Sequence, residues 1–312
     1  SIPRRIQRAA LVVVAFVATI VLSWRWLLGP YWQEQSALSD AFSGEHKYGE
    51  YGLNARPAFS DMIQVKELDS ALLPTTQSDK QRLVFVGDVH GCKAELVELL
   101  HQIEFLASTD HLILTGDMIA KGPDSPGVVD LARDLRASCV RGNHEDRVLL
   151  ARRALVAAER DLHDNRVSMS QDEGEHAGGA ADKDAARAFN DKQVAWLEQC
   201  PVMLRVGRLA GMGEVVVAHA GIVPGVSLSR QDPYLVMNMR SIDLETKVPS
   251  EGRDGTPWEK YWNFYQKRQP ASARSTIVYG HDSKRGLNLR EWSKGLDSGC
   301  VRGGALSALV VE

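Results

Sequence analysis

LVFVGDVHGCKAELVELLHQIEFLASTDHLILTGD, residues 83–117, is the stretch that decides the fold. It opens on an apolar run that stops at Gly87-Asp88. Leu96, Val97, Leu100 and Ile103 then recur at helical spacing. A second apolar run, HLILT, stops at Gly116-Asp117. Short apolar runs closed by glycine read as buried strands, and the spacing between them reads as an amphipathic helix. Downstream, GVVDLARDLRA (127–137) is helical, SCVRG (138–142) is a third short strand, and a helix starts near Glu145. A β-α-β-α-β order implies parallel strands joined by right-handed crossovers, so the fold class is α/β. Strands resume at VMLRV (202–206), EVVVA (214–218) and STIVY (275–279), and the tail LDSGCVRGGALSALVVE reads as a glycine-linked hairpin.

The polar residues at the strand ends carry the chemistry. Asp88 and His90 follow the first strand, Asp117 the second, and Asn143, His144 and Glu145 the third. His219 follows EVVVA, and His281 follows STIVY. Ligands of open α/β sheets bind beyond the carboxyl ends of the strands, so five loops should converge on one site. Carboxylate and imidazole without thiolate suit Zn, Mn, Co or Fe rather than a structural zinc knot. So many groups are more than one ion uses; two divalent ions about 3.5–4 Å apart, sharing a carboxylate, would use them. Turn-favouring Gly and Asp explain Gly116-Asp117 alone, but not three histidines and an asparagine at matching strand ends.

GDVHG, GD with a following KG, GNHE, HAG and GHD resemble the motifs of the phosphoprotein-phosphatase (calcineurin-like) superfamily of binuclear metallophosphoesterases, over residues 83–311. The resemblance implies a β-sandwich flanked by helices. It implies that Asp88 and His90 bind one metal, that Asp117 bridges, and that Asn143, His219 and His281 bind the second. Magnesium joins the metals that such a centre could take. His144 matches the histidine that protonates the leaving oxygen, and Arg240 a phosphate-gripping arginine. One motif departs: Ala120-Lys121 stands where protein phosphatases have Asp-Arg. Lysine binds phosphate as a point charge without the bidentate fork. GDMIAKGP with LDSGCVRGG instead resembles the branch related to bacterial diadenosine tetraphosphatase, which also contains fungal membrane-anchored vacuolar endopolyphosphatases.

Composition and the N-terminus narrow the function further. The 312 residues carry a net charge of -3, which does not point to a nucleic-acid partner. Any polyanion would need a local basic surface, for which Lys284 and Arg285 are candidates, although the plainer reading of the two is a pair of adjacent solvated side chains. Four cysteines, Cys92, Cys139, Cys200 and Cys300, form no CxxC pair and no readable disulfide framework. AALVVVAFVATIVLSWRWLL, residues 9–28, is long enough for a membrane span of about 20 residues. Trp24, Trp26, Tyr31 and Trp32 stand where an interfacial belt belongs, and Arg4, Arg5 and Arg8 place the N-terminus in the cytosol. The expected organisation is a signal-anchor at 1–30, a linker at 31–65 and a catalytic domain at 66–312, with a mobile acidic insertion at 159–191. His163 and His176 of that insertion read as solvated loop residues. The expected activity is metal-dependent hydrolysis of phosphoanhydride bonds by a metal-bridging hydroxide. Internal cleavage of polyphosphate in a vacuolar lumen ranks above dinucleoside polyphosphate or cap-type pyrophosphohydrolysis, and above Ser/Thr phosphoprotein dephosphorylation. A membrane-tethered binding module without catalysis ranks last, because every expected metal ligand is present.

Overall fold

The computed structural model describes residues 3–43, 62–74, 81–163 and 179–312. Its strands, in chain order, are β1 Val65–Glu67, β2 Arg82–Val86, β3 Asp110–Leu114, β4 Ser138–Cys139, β5 Met203–Leu209, β6 Gly213–Ala218, β7 Ser241–Ile242, β8 Pro249–Ser250, β9 Thr256–Pro257, β10 Ser275–Tyr279, β11 Asn288–Leu289, β12 Ser293–Gly295 and β13 Ala308–Val311. Its helices are α1 Arg4–Ser23, α2 Gly29–Ser43, α3 Lys93–Gln102, α4 Ser125–Asp134, α5 Asn143–His163, α6 Ala180–Ala188, α7 Asp191–Glu198, α8 Pro233–Asn238 and α9 Trp258–Arg268. One sheet has the order β13-β2-β3-β4, a second β1-β5-β6-β10-β12-β11, and a small third β8-β7-β9.

The apolar runs are continuous because each strand is covered on both faces. Successive strand side chains point to opposite sides. Leu83, Phe85 and Ile113 therefore meet Val215, Val217 and Val278 in a layer between the two large sheets. Val84, Val86, Leu112 and Leu114 face the other way, onto Leu96, Val128 and Leu149 of the helices. On the far side of the second sheet, Val216, Ala218 and Ile277 pack against Trp258, Tyr261 and Phe264 of α9. The result is a helix–sheet–sheet–helix sandwich. The expected β2-α3-β3-α4-β4 unit is present with parallel pairing throughout.

Three local expectations change. The tail does not pair as a hairpin. β13 runs antiparallel to β2, with Leu309 opposite Phe85. A strand there also satisfies the outer edge of β2, which a local hairpin would leave open. Residues 31–43, expected to begin a linker, belong to α2, whose Leu38 and Ala41 are buried against α9. The end of the expected insertion is ordered: α6 buries Ala186, and Phe189 follows it into the core. His163, expected in a loop, is the last residue of α5, and His176 lies outside the described residues. A disulfide that spacing did not disclose joins Cys139, at the end of β4, to Cys200, just after α7.

Candidate metal centre

Two clusters of donor atoms share one carboxylate. One ligand atom each from His90, Asp117 and His144 lie within 4.8 Å of one another, and so do those of Asp117, His219 and His281. The strands explain the convergence. β2 leads to Asp88 and His90, and β3 to Asp117. β4 leads to Asn143 and His144 at the start of α5. β6 and β10, parallel to each other in the second sheet, lead to His219 and His281. The sheets are stitched together here: the His281 N–H donates to both carboxylate oxygens of Asp88, at 3.0 and 3.1 Å. Gly280 lets the chains approach this closely, since a Cβ there would overlap Asp88 Oδ1.

Backbone carbonyls set the orientation of three imidazoles. His219 Nδ1 lies 2.9 Å from Thr115 O, His90 Nδ1 3.1 Å from Ile119 O, and His281 Nε2 3.0 Å from Asn238 O. A carbonyl only accepts, so each of these nitrogens donates, and the other nitrogen of each ring is left for the site. Nε2 of His219 then meets Asp117 Oδ1 at 3.4 Å and Asn143 Oδ1 at 3.2 Å. Nε2 of His90 meets Asp117 Oδ2 at 3.6 Å and Asp88 Oδ2 at 3.9 Å. Lone pairs aimed at a common point in a buried site repel unless a cation lies between them. The donor set therefore fits divalent ions on either side of Asp117.

The charges agree. Burial pushes the Asp88 carboxyl up, and Asp297 nearby adds to it. Burial would also push Asp117 up, but the imidazoles of His219, His144 and His90 hold it well below the carboxylate range. Burial works against a charged His219, yet Asp117 and Asp88 outweigh it, and the imidazole is pushed up to about 10. Buried carboxylates thus draw positive charge onto the Nε2 edge of His219, either a proton or, in its place, a divalent ion.

The remaining expected residues are also placed. Lys121 reaches inward, with Nζ 2.8 Å from His90 Nε2. Arg240 lines the same cavity and donates to Glu251 O at 3.0 Å. His144 meets Arg147, whose Nη2 lies 3.0 and 3.1 Å from its two ring nitrogens. Burial pushes the His144 imidazole down to about 3, with Lys121 and Arg147 adding to burial and Asp117 opposing it. Lys284 lines the cavity, whereas Arg285 is turned away into ion pairs with Glu259 and Asp282. Arg285 is therefore not part of a free basic surface.

Sequence reasoning named Glu145 without giving it a role, and it missed Arg253 and Arg302. Glu145, fully buried, accepts N–H groups of Asp117, Met118 and Gly142 at 2.8 Å and of Ile119 at 3.2 Å. It lies in the GNHE stretch, and its run of backbone donors comes from a loop far away in sequence. Arg253 reaches the cavity but is forked onto Asp282. Arg302 lines the cavity from the glycine-rich tail. The cavity measures about 420 Å³.

Residues 81–304 match the Calcineurin-like phosphoesterase family. The chain is 31% identical over 273 residues to a zinc-dependent endopolyphosphatase of Saccharomyces cerevisiae, covering 78% of this chain and 82% of that protein. It is 30% identical over 281 residues to a symmetrical bis(5'-nucleosyl)-tetraphosphatase of Erwinia tasmaniensis, covering 72% of this chain and 92% of that protein. A crystal structure of a putative diadenosine tetraphosphatase superposes with a TM-score of 0.59 and 32% identity, over 79% of this chain and 92% of that one. Fold, donor set and relatives agree: this chain belongs to the calcineurin-like phosphoesterases and is a metal-dependent phosphohydrolase.

Proposed function

We propose that the chain cleaves phosphoanhydride bonds, and that its substrate is inorganic polyphosphate cut internally. The carrying observation is the cavity lining. Lys121, Arg240, Lys284 and Arg302, with the Asp282-paired Arg253, contribute cations beside the carboxylates of Asp117, Glu251, Asp282 and Asp297, and among the described residues no Phe, Tyr or Trp lines it. A dinucleoside substrate offers bases that aromatic rings would stack, and this cavity offers them none. The named activity of the yeast relative supports the same reading, as does its zinc dependence.

Asp88, His90, Asp117, Asn143, His219 and His281 would hold two divalent cations, with zinc first and Mn, Co, Fe or Mg as alternatives. Such cations supply Lewis acidity and an activated water. Lys121 and Arg240 would hold the phosphoryl oxygens. Burial, with Lys121 and Arg147 beside it, disfavours the charged form of His144, so little of it carries the proton that an alkoxide leaving group needs. A phosphate leaving group needs little protonation. That contrast favours an anhydride over a Ser/Thr phosphoester.

The same reading divides the chain into an anchor at 1–30 and a catalytic domain in the lumen, with a vacuole as the compartment. α1 exposes Leu11, Val12, Phe16 and Ile20, and it is one apolar helix long enough to cross a bilayer. The Cys139–Cys200 disulfide supports an oxidising compartment.

The test is a substrate panel with the zinc-loaded protein. Long-chain polyphosphate on a gel should give mid-length fragments early. Diadenosine tetraphosphate and a phosphopeptide should be turned over more slowly. Preference for either of those two, or release of free phosphate only, would overturn the reading.

A further inference from the structure

Arg147 touches the centre without being one of its ligands. It stands three residues after His144 in α5, on the same face of the helix. Its Nη2 lies 3.0 Å from His144 Nδ1 and 3.1 Å from His144 Nε2. Ring atom Cε1 stands between those two nitrogens. An atom almost equally close to both therefore lies over the ring face and on neither lone pair. The guanidinium is stacked on the imidazole, as planar guanidinium groups stack on aromatic rings. Both nitrogen edges of His144 stay open, and His144 lines the cavity.

The guanidinium is held in place but not used up. Its Nε lies 3.9 Å from Asp182 Oδ2 of α6, too long for a hydrogen bond. Asp182 draws the group across the ring by charge alone. Among the described residues, Arg147 donates a hydrogen bond to no carboxylate or carbonyl oxygen. Its side chain is half exposed, beside the stretch of cavity wall that His144 forms. Other arginines nearby are satisfied within the protein: Arg253 is forked onto Asp282, and Arg285 is held by Glu259 and Asp282.

Phosphoanhydride hydrolysis makes a specific demand beside His144, the residue read above as facing the leaving oxygen. Hydroxide forms a new P–O bond, the bridging P–O bond breaks, and its electron pair goes to the departing oxygen. On a Ser/Thr ester that oxygen becomes an alkoxide and has to take a proton. On an anhydride it belongs to a phosphate, which shares the charge among its oxygens and leaves without one. A guanidinium has no proton to give at working pH, but it meets two phosphate oxygens with parallel N–H groups. A fixed positive charge set where negative charge develops acts most strongly in the transition state.

We propose that Arg147 is a further catalytic residue: its guanidinium receives the departing phosphate beside His144 and balances the charge that the breaking bond delivers there. It serves an anhydride and leaves an ester unaided. This inference rests on the phosphoanhydride reading above, and it adds a residue that makes the site selective for such bonds.

The test uses the full-length zinc-loaded protein with the variants R147A and R147K. Zinc retained on dialysis and thermal unfolding should match the wild type, because the side chain is half exposed and holds no metal. On long-chain polyphosphate, R147A should lose about a hundredfold in kcat, with KM changed by about threefold at most. On p-nitrophenyl phosphate, which releases an aryl oxide and no phosphate leaving group, R147A should stay within about threefold of the wild type. R147K should recover about tenfold on polyphosphate, since an ammonium meets phosphate as a point charge but does not stack flat. Millimolar guanidinium ion should restore polyphosphate turnover to R147A and leave its p-nitrophenyl phosphate turnover unmoved. Equal losses on both substrates, zinc lost on dialysis, or full activity of R147A on polyphosphate would overturn this inference alone. A wild type that turns over the phosphopeptide and leaves polyphosphate and diadenosine tetraphosphate intact would overturn the reading beneath it as well.

Discussion

Asp117 has a φ of 49°, and His90, Ala120, Lys121 and His281 have φ of 47°, 67°, 66° and 70°. Left-handed backbone costs a non-glycine residue about 1–2 kcal/mol, so strain is gathered around the centre. Glu145 opposes it by collecting the N–H groups of Asp117, Met118, Ile119 and Gly142. E145Q replaces one acceptor oxygen with an amide donor that faces an N–H. It should cost about 2–3 kcal/mol in thermal unfolding and lower the metal retained after dialysis. Unchanged metal content would sink that role. At Ala120, A120G should relieve strain and raise stability by up to about 1 kcal/mol. A120D should raise turnover of aryl and Ser/Thr phosphoesters by returning a carboxylate to the loop that also carries Lys121. No change on those substrates would count against a role for position 120 in substrate choice. The candidate ligands were legible because each follows an apolar run that ends at the site. The roles of Glu145 and Arg302 were not. Their value lies in backbone donors and a cavity wall supplied by segments distant in sequence.

Single elements show the same division. β2 and β3 were readable because burial on both faces makes a continuous apolar run. β13 was misread, since its partner, β2, lies over two hundred residues upstream and no local turn signals it. The start of the β2–β3 pair is fixed by Asp110, whose carboxylate takes Arg82 Nη2 at 2.5 Å and Leu106 N–H at 2.8 Å. Burial pushes this carboxyl up, but Arg82 and Leu106 prevail and hold it below its ordinary 3.8. A depressed folded value means that the stabilisation is complete above the unfolded pKa and is lost as pH falls through the folded one. Wild type should exceed D110N by about 2 kcal/mol from roughly pH 5 upward, and the gap should close under acid below the ordinary carboxylate value. A gap independent of pH in thermal melts would refute the ion pair. The Cys139–Cys200 link closes a loop of 61 residues, which in the chain-entropy account is worth about 4 kcal/mol. C139A/C200A should therefore unfold at a clearly lower temperature, and a reductant should leave this variant's melting point unmoved.

At the scale of the whole molecule, α2 joins the apolar N-terminal helix to the catalytic sandwich. Leu38 and Ala41 are buried, Lys260 Nζ meets Glu34 Oε1 at 2.5 Å, and Arg268 covers the Phe42 ring. Local sequence could not show this, because residues 31–43 are amphipathic only toward a surface formed by α9. A chain that begins at residue 30 should melt like the full protein. One that begins at residue 44 should lose about 3 kcal/mol, or roughly 5–10 °C in melting temperature. Equal melting of the two would show that α2 does not dock. The central claim is that loops from both sheets hold two cations on either side of Asp117. Anomalous diffraction at the zinc edge, from crystals of the zinc-loaded protein, tests it most directly. The account predicts two peaks about 3.5–4 Å apart flanking Asp117, with at least one lost in D117N. A single peak, or zinc bound away from Asp117, would contradict it.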